Sequence, residues 1–339
     1  MVSLNVSTVE PPLISDELTR HIIRILMFIV TPSIAIFGIT GNVMSITVLI
    51  KHGLHKCSNI LLVALAFSDI TYLISFNSVP KIFYEAVNDH EVLGFNVQEA
   101  SVVFFFFSVF NFLDYSVGLM SLVLPMLITI ERLVVIFLPL SFKRVITPNR
   151  TWIAVISLEA YFFSICFYTT FWFELDYTTD TRRNVSVGLI KRSTFFYEHL
   201  PSVKIIQNIL VYSSIIIPPI FTDVGCIVIS IKIQITSTKR RKLTSKSKNS
   251  NRTTRMLLAV CAVYIFTITF LSLPIYIPEY ASYSLTDEAP SNFGKLFYQL
   301  VNIVGCTNSS TDFIVYIVLN KNFRATYQVM MGCREKVKR

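Results

Sequence analysis

The sequence predicts an all-α membrane protein, a seven-transmembrane helix bundle followed by a short amphipathic C-terminal helix. Three observations support this fold. Of the 339 residues, 53% are hydrophobic and only 15% are charged, whereas about 25% are charged in a typical soluble domain. Seven apolar segments come close to or exceed the ~20 residues needed to cross a bilayer core. The basic residues cluster between these segments, which argues against a nucleic-acid-binding protein.

The apolar segments divide the chain into three parts. Lipid offers no hydrogen-bond partners, so each segment must form a helix that satisfies its own backbone groups. We predict an extracellular N-terminus over 1–23, a seven-transmembrane domain over 24–319 and a cytoplasmic tail over 320–339. The predicted spans lie near 24–50, 58–84, 101–136, 152–173, 205–232, 256–279 and 293–319.

The distribution of Lys and Arg predicts the orientation. The segments after spans 1, 3, 5 and 7 hold roughly 21 of the 30 basic residues, with Glu131 and Glu335 the only acids there. Because basic loops stay in the cytoplasm, the N-terminus is expected outside, and the plasma membrane is the expected location. The sequons at Asn5 and Asn184 fall on the outer side, where they could be glycosylated.

The tail carries a helical apolar pattern. Phe323, Tyr327 and Met330 recur at i, i+4 and i+7, so they share one face of a helix lying in the membrane interface. Cys333 follows this helix close to the lipid headgroups and is a candidate for palmitoylation. An unmodified cytosolic thiol is the open alternative.

Charged residues inside the spans are the first candidates for function. An isolated Asp at the centre of a membrane helix costs about 2.5–3.5 kcal/mol on insertion scales. On span 3, Asp114, Ser121 and Arg132 are separated by 7 and 11 residues, close to two and three helical turns. All three therefore project from one face, which must look into the bundle.

Short motifs follow one another from span 1 to the tail helix. They are Gly41-Asn42, Leu65-Ala66-Phe67-Ser68-Asp69, Glu131-Arg132-Leu133, Pro139-Leu140, Trp152, Pro218 or Pro219, Pro274, and Asn308-Ser309-Ser310-Thr311-Asp312-Phe313-Ile314-Val315-Tyr316. Each motif is weak alone, but together and in this order they resemble the rhodopsin-like (class A) G-protein-coupled receptor family. The stretch from Glu131 to Trp152 is also similar to invertebrate chemosensory and FMRFamide-type peptide receptors.

The resemblance implies a switch at the inner end of span 3. Glu131 would hold Arg132 by a charge-assisted bond at rest, and Arg132 would turn to a G protein after release, with Tyr316 as the third member. Taken alone, an Arg at this position is more typical of a topology anchor. No acid precedes span 6 to pair with Arg132, so we expect a loose lock and appreciable basal activity.

The resemblance also implies an allosteric sodium ion. Two carboxylates and several neutral oxygens suit a hard monovalent cation. The alternative is a hydrogen-bonded polar cluster that holds water between kinked helices. The residues concerned are Asp69, Ser121, Asn308, Ser309 and Asp312.

Two residues are candidate ligand contacts, Asp114 and Tyr276. Asp114 matches the position at which amine receptors and some peptide receptors hold a positive charge of the ligand. The open alternative is a hydrogen bond inside the protein, for example to a neighbouring Tyr. Leu271-Ser272-Leu273-Pro274 stands where small-amine receptors have C-W-x-P, so their aromatic toggle is missing.

Other departures from the family concern cysteine and proline. The family ties the top of span 3 to the second outer loop by a disulfide, but that position falls near Phe107, and the loop from Glu174 to Lys204 has no Cys. The loop must then be held by packing or be mobile. The six cysteines predict no disulfide framework. Phe313 replaces the proline of the span 7 motif.

Together these features predict a receptor that transduces binding of an extracellular peptide, amine or chemosensory cue to a cytoplasmic heterotrimeric G protein. A non-signalling or decoy receptor is the alternative, because several switch residues differ. A transporter would show internal repeats or matching broken helices, and the sequence has no repeat. The motifs H-E-x-x-H and G-x-S-x-G are absent, so we expect no enzyme activity.

Overall fold

The protein is a bundle of long helices. The computed structural model describes residues 14–82, 95–180, 185–243, 263–273, 292–319 and 321–330. Five helices in these ranges are long and apolar enough, by length and composition, to cross a membrane. These helices, called spans 1 to 5, are Asp16–Lys51, Cys57–Phe76, Val97–Phe137, Pro148–Trp172 and Leu200–Thr236.

The remaining helices complete the bundle. Span 6 is described over Val263–Leu273, span 7 is Asn292–Leu319 and the tail helix is Lys321–Met330. Spans 1 and 5 each contain a π-helical turn, at Leu26–Val30 and Val211–Ile216. The last helical segment of span 5 is Ile217–Leu243. Two short helices lie in loops, at Phe142–Val145 and Thr194–Glu198. A 3₁₀ turn, Thr170–Trp172, ends span 4. We call the end at which span 1 begins the outer end, and the opposite end the inner end.

Span 1 begins at Asp16, before the predicted residue 24. The reason is local, because the Ser15 hydroxyl accepts a hydrogen bond from the Leu18 N–H at 3.3 Å and so caps the helix. Asn292 of span 7 then holds this extension, since its side-chain amide donates to the Asp16 carboxylate at 2.6 Å. The outer ends of spans 1 and 7 are therefore joined.

Span 2 ends at Phe76, before the predicted residue 84. Pro80 explains the break, because its ring conflicts with the carbonyl four residues earlier, that of Phe76, and it has no N–H to donate. A new helical turn begins at Val79. This turn carries Lys81, which is only 2% exposed, so the break directs a lysine into the bundle.

Glycine allows spans 1 and 7 to approach closely. A Cβ atom on Gly41 would lie 2.9 Å from the Cβ of Phe313, too close for any larger residue without a shift. The neighbouring Asn42 donates from Nδ2 to the Ser309 carbonyl at 2.7 Å. The Phe313 ring also meets Tyr327 of the tail helix, with centroids 5.7 Å apart. Phe313, which replaces a proline, leaves span 7 as one uninterrupted helix.

A three-stranded antiparallel sheet follows span 4 and packs on span 3. Strand β2, Phe173–Asp180, pairs with β3, Val185–Arg192, and the short β1, Phe95–Asn96, pairs with the other edge of β3. Gly188 of β3 lies against Ala100 of span 3. This hairpin was not predicted from the sequence, although apolar and polar residues alternate from Phe173 to Thr178 in β2.

Aromatic packing holds the hairpin to span 3. Phe107 is fully buried and meets Phe173 edge-on, with ring centroids 5.2 Å apart. Arg192 stacks over the rings of Phe173 and Phe196, at 4.3 and 4.9 Å from their centroids. Trp172 belongs to the same cluster. Of the two alternatives left open for this loop, the structure shows packing.

The cysteines only partly follow the prediction. Cys57, Cys166 and Cys306 are free, buried thiols, as expected for small apolar residues inside or beside helices. Cys226 is disulfide-bonded, a bond that the sequence did not predict. The disulfide does not belong to the hairpin, whose described residues contain no Cys.

The tail helix docks on the inner ends of spans 1 and 7. Phe323 is buried there, and the partly buried Tyr327 and Met330 pack against the same apolar cluster. Nε2 of His52, just after span 1, lies 2.9 Å from the Thr326 hydroxyl of the tail helix. Burial, and then the charge of Lys56, lowers the pKa of His52 below its ordinary value of 6.5.

We expect Phe107→Ala to lower the thermal stability of the purified protein and to loosen the hairpin, because a buried aromatic ring contributes about 3–5 kcal/mol of packing free energy. Melting in lipid nanodiscs would measure this. The control is Phe105→Ala, which removes a ring that is 62% exposed and should change the melting temperature little. Equal melting temperatures for the two variants would contradict the aromatic anchor.

The tail helix should undock as the pH falls. The lowered pKa of His52 means that the docked state binds a proton less readily than the undocked state, so docking is complete above about pH 6.5 and weakens below it. A spin label introduced by Gln328→Cys should become more mobile between pH 7.5 and 5.5. His52→Gln should remove this dependence, whereas the exposed neighbour His55 should tolerate the same change without effect. An unchanged pH profile in His52→Gln would rule out His52 as the cause.

Candidate functional site

A cavity of about 460 Å³ lies among spans 2 to 7, within the size range of small-ligand sites. Its wall is polar on several sides. The carboxamides that line it are Gln207, Asn208, Asn302 and Asn308. The aromatic residues that line it are Tyr72, Phe76, Tyr115, Trp172 and Tyr298. Among the described lining residues, Asp114 alone carries a full charge.

The Asp114 carboxylate is paired inside the protein. Lys81 Nζ forms a buried salt bridge with Asp114 Oδ2, and the two residues are 2% and 8% exposed. The ammonium also lies 5.0 Å from the centre of the Tyr115 ring and 3.4 Å from Asn111 Oδ1. Asp114, predicted as the partner of a ligand cation, thus already has an internal cation beside it, and its contact with a ligand stays a prediction. The internal partner is a lysine, not the tyrosine considered from the sequence.

Lys81 was not predicted from the sequence as a residue of the site. It lies inside the predicted second span, 58–84, and an intramembrane lysine is itself a signal for a buried partner. Its direction could not be read from a regular helix, because the break after Phe76 changes it. The pairing with span 3 thus depends on Pro80, whose effect on the backbone is local.

A second acidic site lies deeper in the bundle. Asp69 is 1% exposed. The hydroxyls of Ser121 and Ser309 lie near its carboxylate, but among the described residues no hydrogen bond of good geometry reaches either oxygen. Asp312, Ser309 and Ser121 lie close enough to interact with it electrostatically. The structure thus brings together four of the five residues of the predicted sodium pocket.

The floor of the central cavity reaches this acidic site. Ser121, Asn308 and Ser309 line the cavity, so the fifth pocket residue, Asn308, lies on the wall between the two sites. A buried carboxylate that lacks well-aligned protein donors fits a bound cation or water. A sodium ion is compatible with this set of oxygens, because hard cations favour carboxylate and hydroxyl ligands.

At the inner end of span 3, Glu131 and Arg132 form an ion pair. Arg132 Nε lies 3.2 Å from Glu131 Oε2, but neither atom makes a hydrogen bond of good geometry within the described residues. The Ser58 hydroxyl of span 2 donates to Glu131 Oε1 at 2.8 Å. Glu131 is thus fixed by span 2, while it holds Arg132 only by charge.

Tyr316, the third predicted switch residue, lies in the apolar cluster under the tail helix and not beside the Glu131–Arg132 pair. Tyr316 is buried beside Phe323 of the tail helix, with ring centroids 5.7 Å apart, and its hydroxyl has no hydrogen-bond partner among the described residues. A link between spans 3 and 6 comes instead from Tyr264, whose hydroxyl donates to the Leu122 carbonyl at 2.6 Å. A tyrosine in an apolar span signals such a bond.

Four predicted sites lie outside the described residues. They are the ligand contact Tyr276, the sequons Asn5 and Asn184, and the palmitoylation candidate Cys333.

Residues 41–316 match the family described as 7 transmembrane receptor (rhodopsin family). The chain belongs to this family. The match runs from Gly41 of span 1 to Tyr316 of span 7 and so includes both the cavity and the Glu131–Arg132 pair. None of the curated proteins matches the chain.

Membership confirms the predicted family and the seven-helix bundle. The protein is a multi-pass membrane receptor of the G-protein-coupled type, not an enzyme. In general terms its partners are a ligand and a G protein.

Proposed function

We propose that this receptor binds an extracellular ligand in the central cavity and passes the signal to a cytoplasmic heterotrimeric G protein. One observation carries the proposal, since span 3 lines the cavity with Asp114 and carries the Glu131–Arg132 pair at its inner end. The two points are 18 residues apart, about 27 Å along one helix. A shift of this helix acts on both sites together.

The Glu131–Arg132 pair is the element that changes state. At rest, the carboxylate of Glu131 is held by Ser58 and attracts the Arg132 side chain. A ligand that binds one position of span 3 better than the other shifts the equilibrium between them. Release of Arg132 exposes a cation at the inner end, where a G-protein segment can bind it.

The basic segments support the orientation. The stretch from Lys232 to Arg255 carries basic residues and no acid, which favours a cytoplasmic position and an extracellular N-terminus in the plasma membrane. In this orientation Asn5 and Asn184 are proposed glycosylation sites and Cys333 a proposed palmitoylation site. Tyr276 of the predicted sixth span is a proposed ligand contact.

We also propose sodium as an allosteric ligand of the deep acidic site. Asp69 and Asp312 would supply the charge, and Ser121, Ser309 and Asn308 neutral oxygens. A bound cation would stabilise the arrangement in which two buried acids lie together, because unpaired buried charges are costly. The two acids lie together in the same structure in which Glu131 holds Arg132, so a bound cation would favour the resting state of the receptor.

We expect the receptor to stimulate nucleotide exchange without added ligand, because Glu131 holds Arg132 without a well-formed hydrogen bond. Membranes carrying the chain and G proteins should exchange nucleotide several-fold faster than membranes without it. Glu131→Gln should raise this rate further, and Arg132→Ala should abolish it. The control is Lys51→Ala, which removes an exposed basic residue at the inner end of span 1 and should leave the rate unchanged.

Equal exchange with and without the chain, over a mixed panel of amines and peptides and with confirmed surface expression, would contradict this proposal. It would favour the alternative of a non-signalling or decoy receptor.

Sodium should stabilise the protein relative to an equal concentration of choline. We expect a rise in melting temperature of a few degrees in the wild type and none in Asp69→Asn, since the charge that binds the ion is lost. Asp223→Asn is the matched control, because Asp223 lies on span 5 and should keep the sodium effect. A sodium effect that survives in Asp69→Asn would place the ion elsewhere.

A further inference from the structure

We propose that the central cavity binds an uncharged, hydrogen-bonding part of its ligand, and that Lys81 determines this specificity. The inference rests on the proposed role of the cavity as the ligand site. It assigns Lys81 as an internal cation that occupies the place of a ligand ammonium group on Asp114.

Geometry separates the two partners. Asp114 belongs to the wall of the cavity, whereas Lys81 does not line it and is 2% exposed. The ammonium therefore approaches the carboxylate from behind the wall. A ligand in the cavity meets an acid that is already neutralised, and no other charged residue among the described part of the wall offers a partner.

The lysine is held from several sides. Its ammonium lies 5.0 Å from the centre of the Tyr115 ring and 5.6 Å from that of Phe76, distances typical of cation–π attraction. Asn111 Oδ1 is 3.4 Å away. The backbone break before Pro80 sets the direction of this turn. Lys81 is thus positioned before any ligand arrives.

An incoming ammonium group would have to displace Lys81 from Asp114. The lysine would then remain buried without a counter-charge, and loss of one partner of a buried ion pair weakens binding by about 10²–10³-fold. An uncharged ligand group meets no such penalty. The pair therefore selects against amines, although Asp114 lies where amine receptors bind them.

The rest of the wall suits an uncharged polar ligand. Gln207, Asn208 and Asn302 present carboxamides, and Tyr72 and Tyr298 present hydroxyls beside aromatic rings. Carboxamides offer both donors and acceptors, so they match amide or hydroxyl groups on a ligand. The aromatic surfaces match its apolar part.

Two probes of similar size separate the alternatives. They are 2-phenylethylammonium, a cation at pH 7, and 3-phenylpropanamide, which is neutral. Binding to the full chain in lipid nanodiscs would be measured directly, without a G protein. The variants are Lys81→Met, which frees Asp114, and Lys81→Met/Asp114→Asn, which removes both charges.

In the wild type we expect binding of the amide and no binding of the ammonium probe. Lys81→Met should bind the ammonium probe at least about 100-fold more tightly than the wild type does, and the double variant should lose this gain. The proposal is overturned if the wild type binds the ammonium probe as tightly as Lys81→Met, or if the gain persists in the double variant.

A third variant keeps the proposal testable if Lys81→Met does not fold. Lys81→Ala leaves the space of the lysine side chain beyond Cβ, so 1-propylammonium present during solubilisation should increase the yield of folded protein. Tetramethylammonium, which is wider and has no N–H to donate to Asp114, should not. Lack of rescue by 1-propylammonium would contradict the internal pairing. Failure of G-protein coupling would leave all of these binding results intact, so the two proposals can fail separately.

Discussion

The buried salt bridge between Lys81 and Asp114 determines the charge of the cavity wall in the outer half of the bundle. Each charge alone would be expensive in the apolar interior, and removal of one partner of such a pair costs about 3–5 kcal/mol. The pair joins spans 2 and 3 at the wall of the cavity. The break in span 2 at Pro80 brings the lysine to this position, and the rings of Phe76 and Tyr115 surround its ammonium. Because Lys81 neutralises Asp114, the described wall of the cavity carries no unpaired charge.

Span 3 connects the cavity with the inner end of the receptor. It carries a paired acid at the cavity, a serine beside the deep acidic site and an ion pair at its inner end. Each of them lies against span 2 or the turn that follows it. Asp114 pairs with Lys81, and Ser121 lies near Asp69. Glu131 accepts a hydrogen bond from Ser58. Motion of span 3 against span 2 is therefore the change to which each polar site responds.

The sequence predicted the helices well, because membrane spans follow from apolar length alone. The motif residues Asp69, Ser121, Ser309 and Asp312 were also predicted to lie together, because the family resemblance implies this cluster. Lys81 was missed for a physical reason. The break at Pro80 changes the direction of one turn, and only the folded backbone shows which carboxylate the lysine then reaches.

Other misses have similar origins. The hairpin forms from long-range pairing of β2 with β3 and from packing on Phe107, neither of which is encoded by helical periodicity. The early start of span 1 depends on Ser15 and on a contact with span 7, although the cap itself is a local signal.

The contact between Phe107 and Phe173 has a consequence for how the protein matures. A covalent bridge at this place would require an oxidising compartment and an enzyme to form it. Two aromatic rings need neither, so the hairpin can settle on span 3 as soon as both segments have been synthesised. Thiol reductants do not break a contact between aromatic rings. This part of the receptor should therefore keep its structure where the redox potential varies.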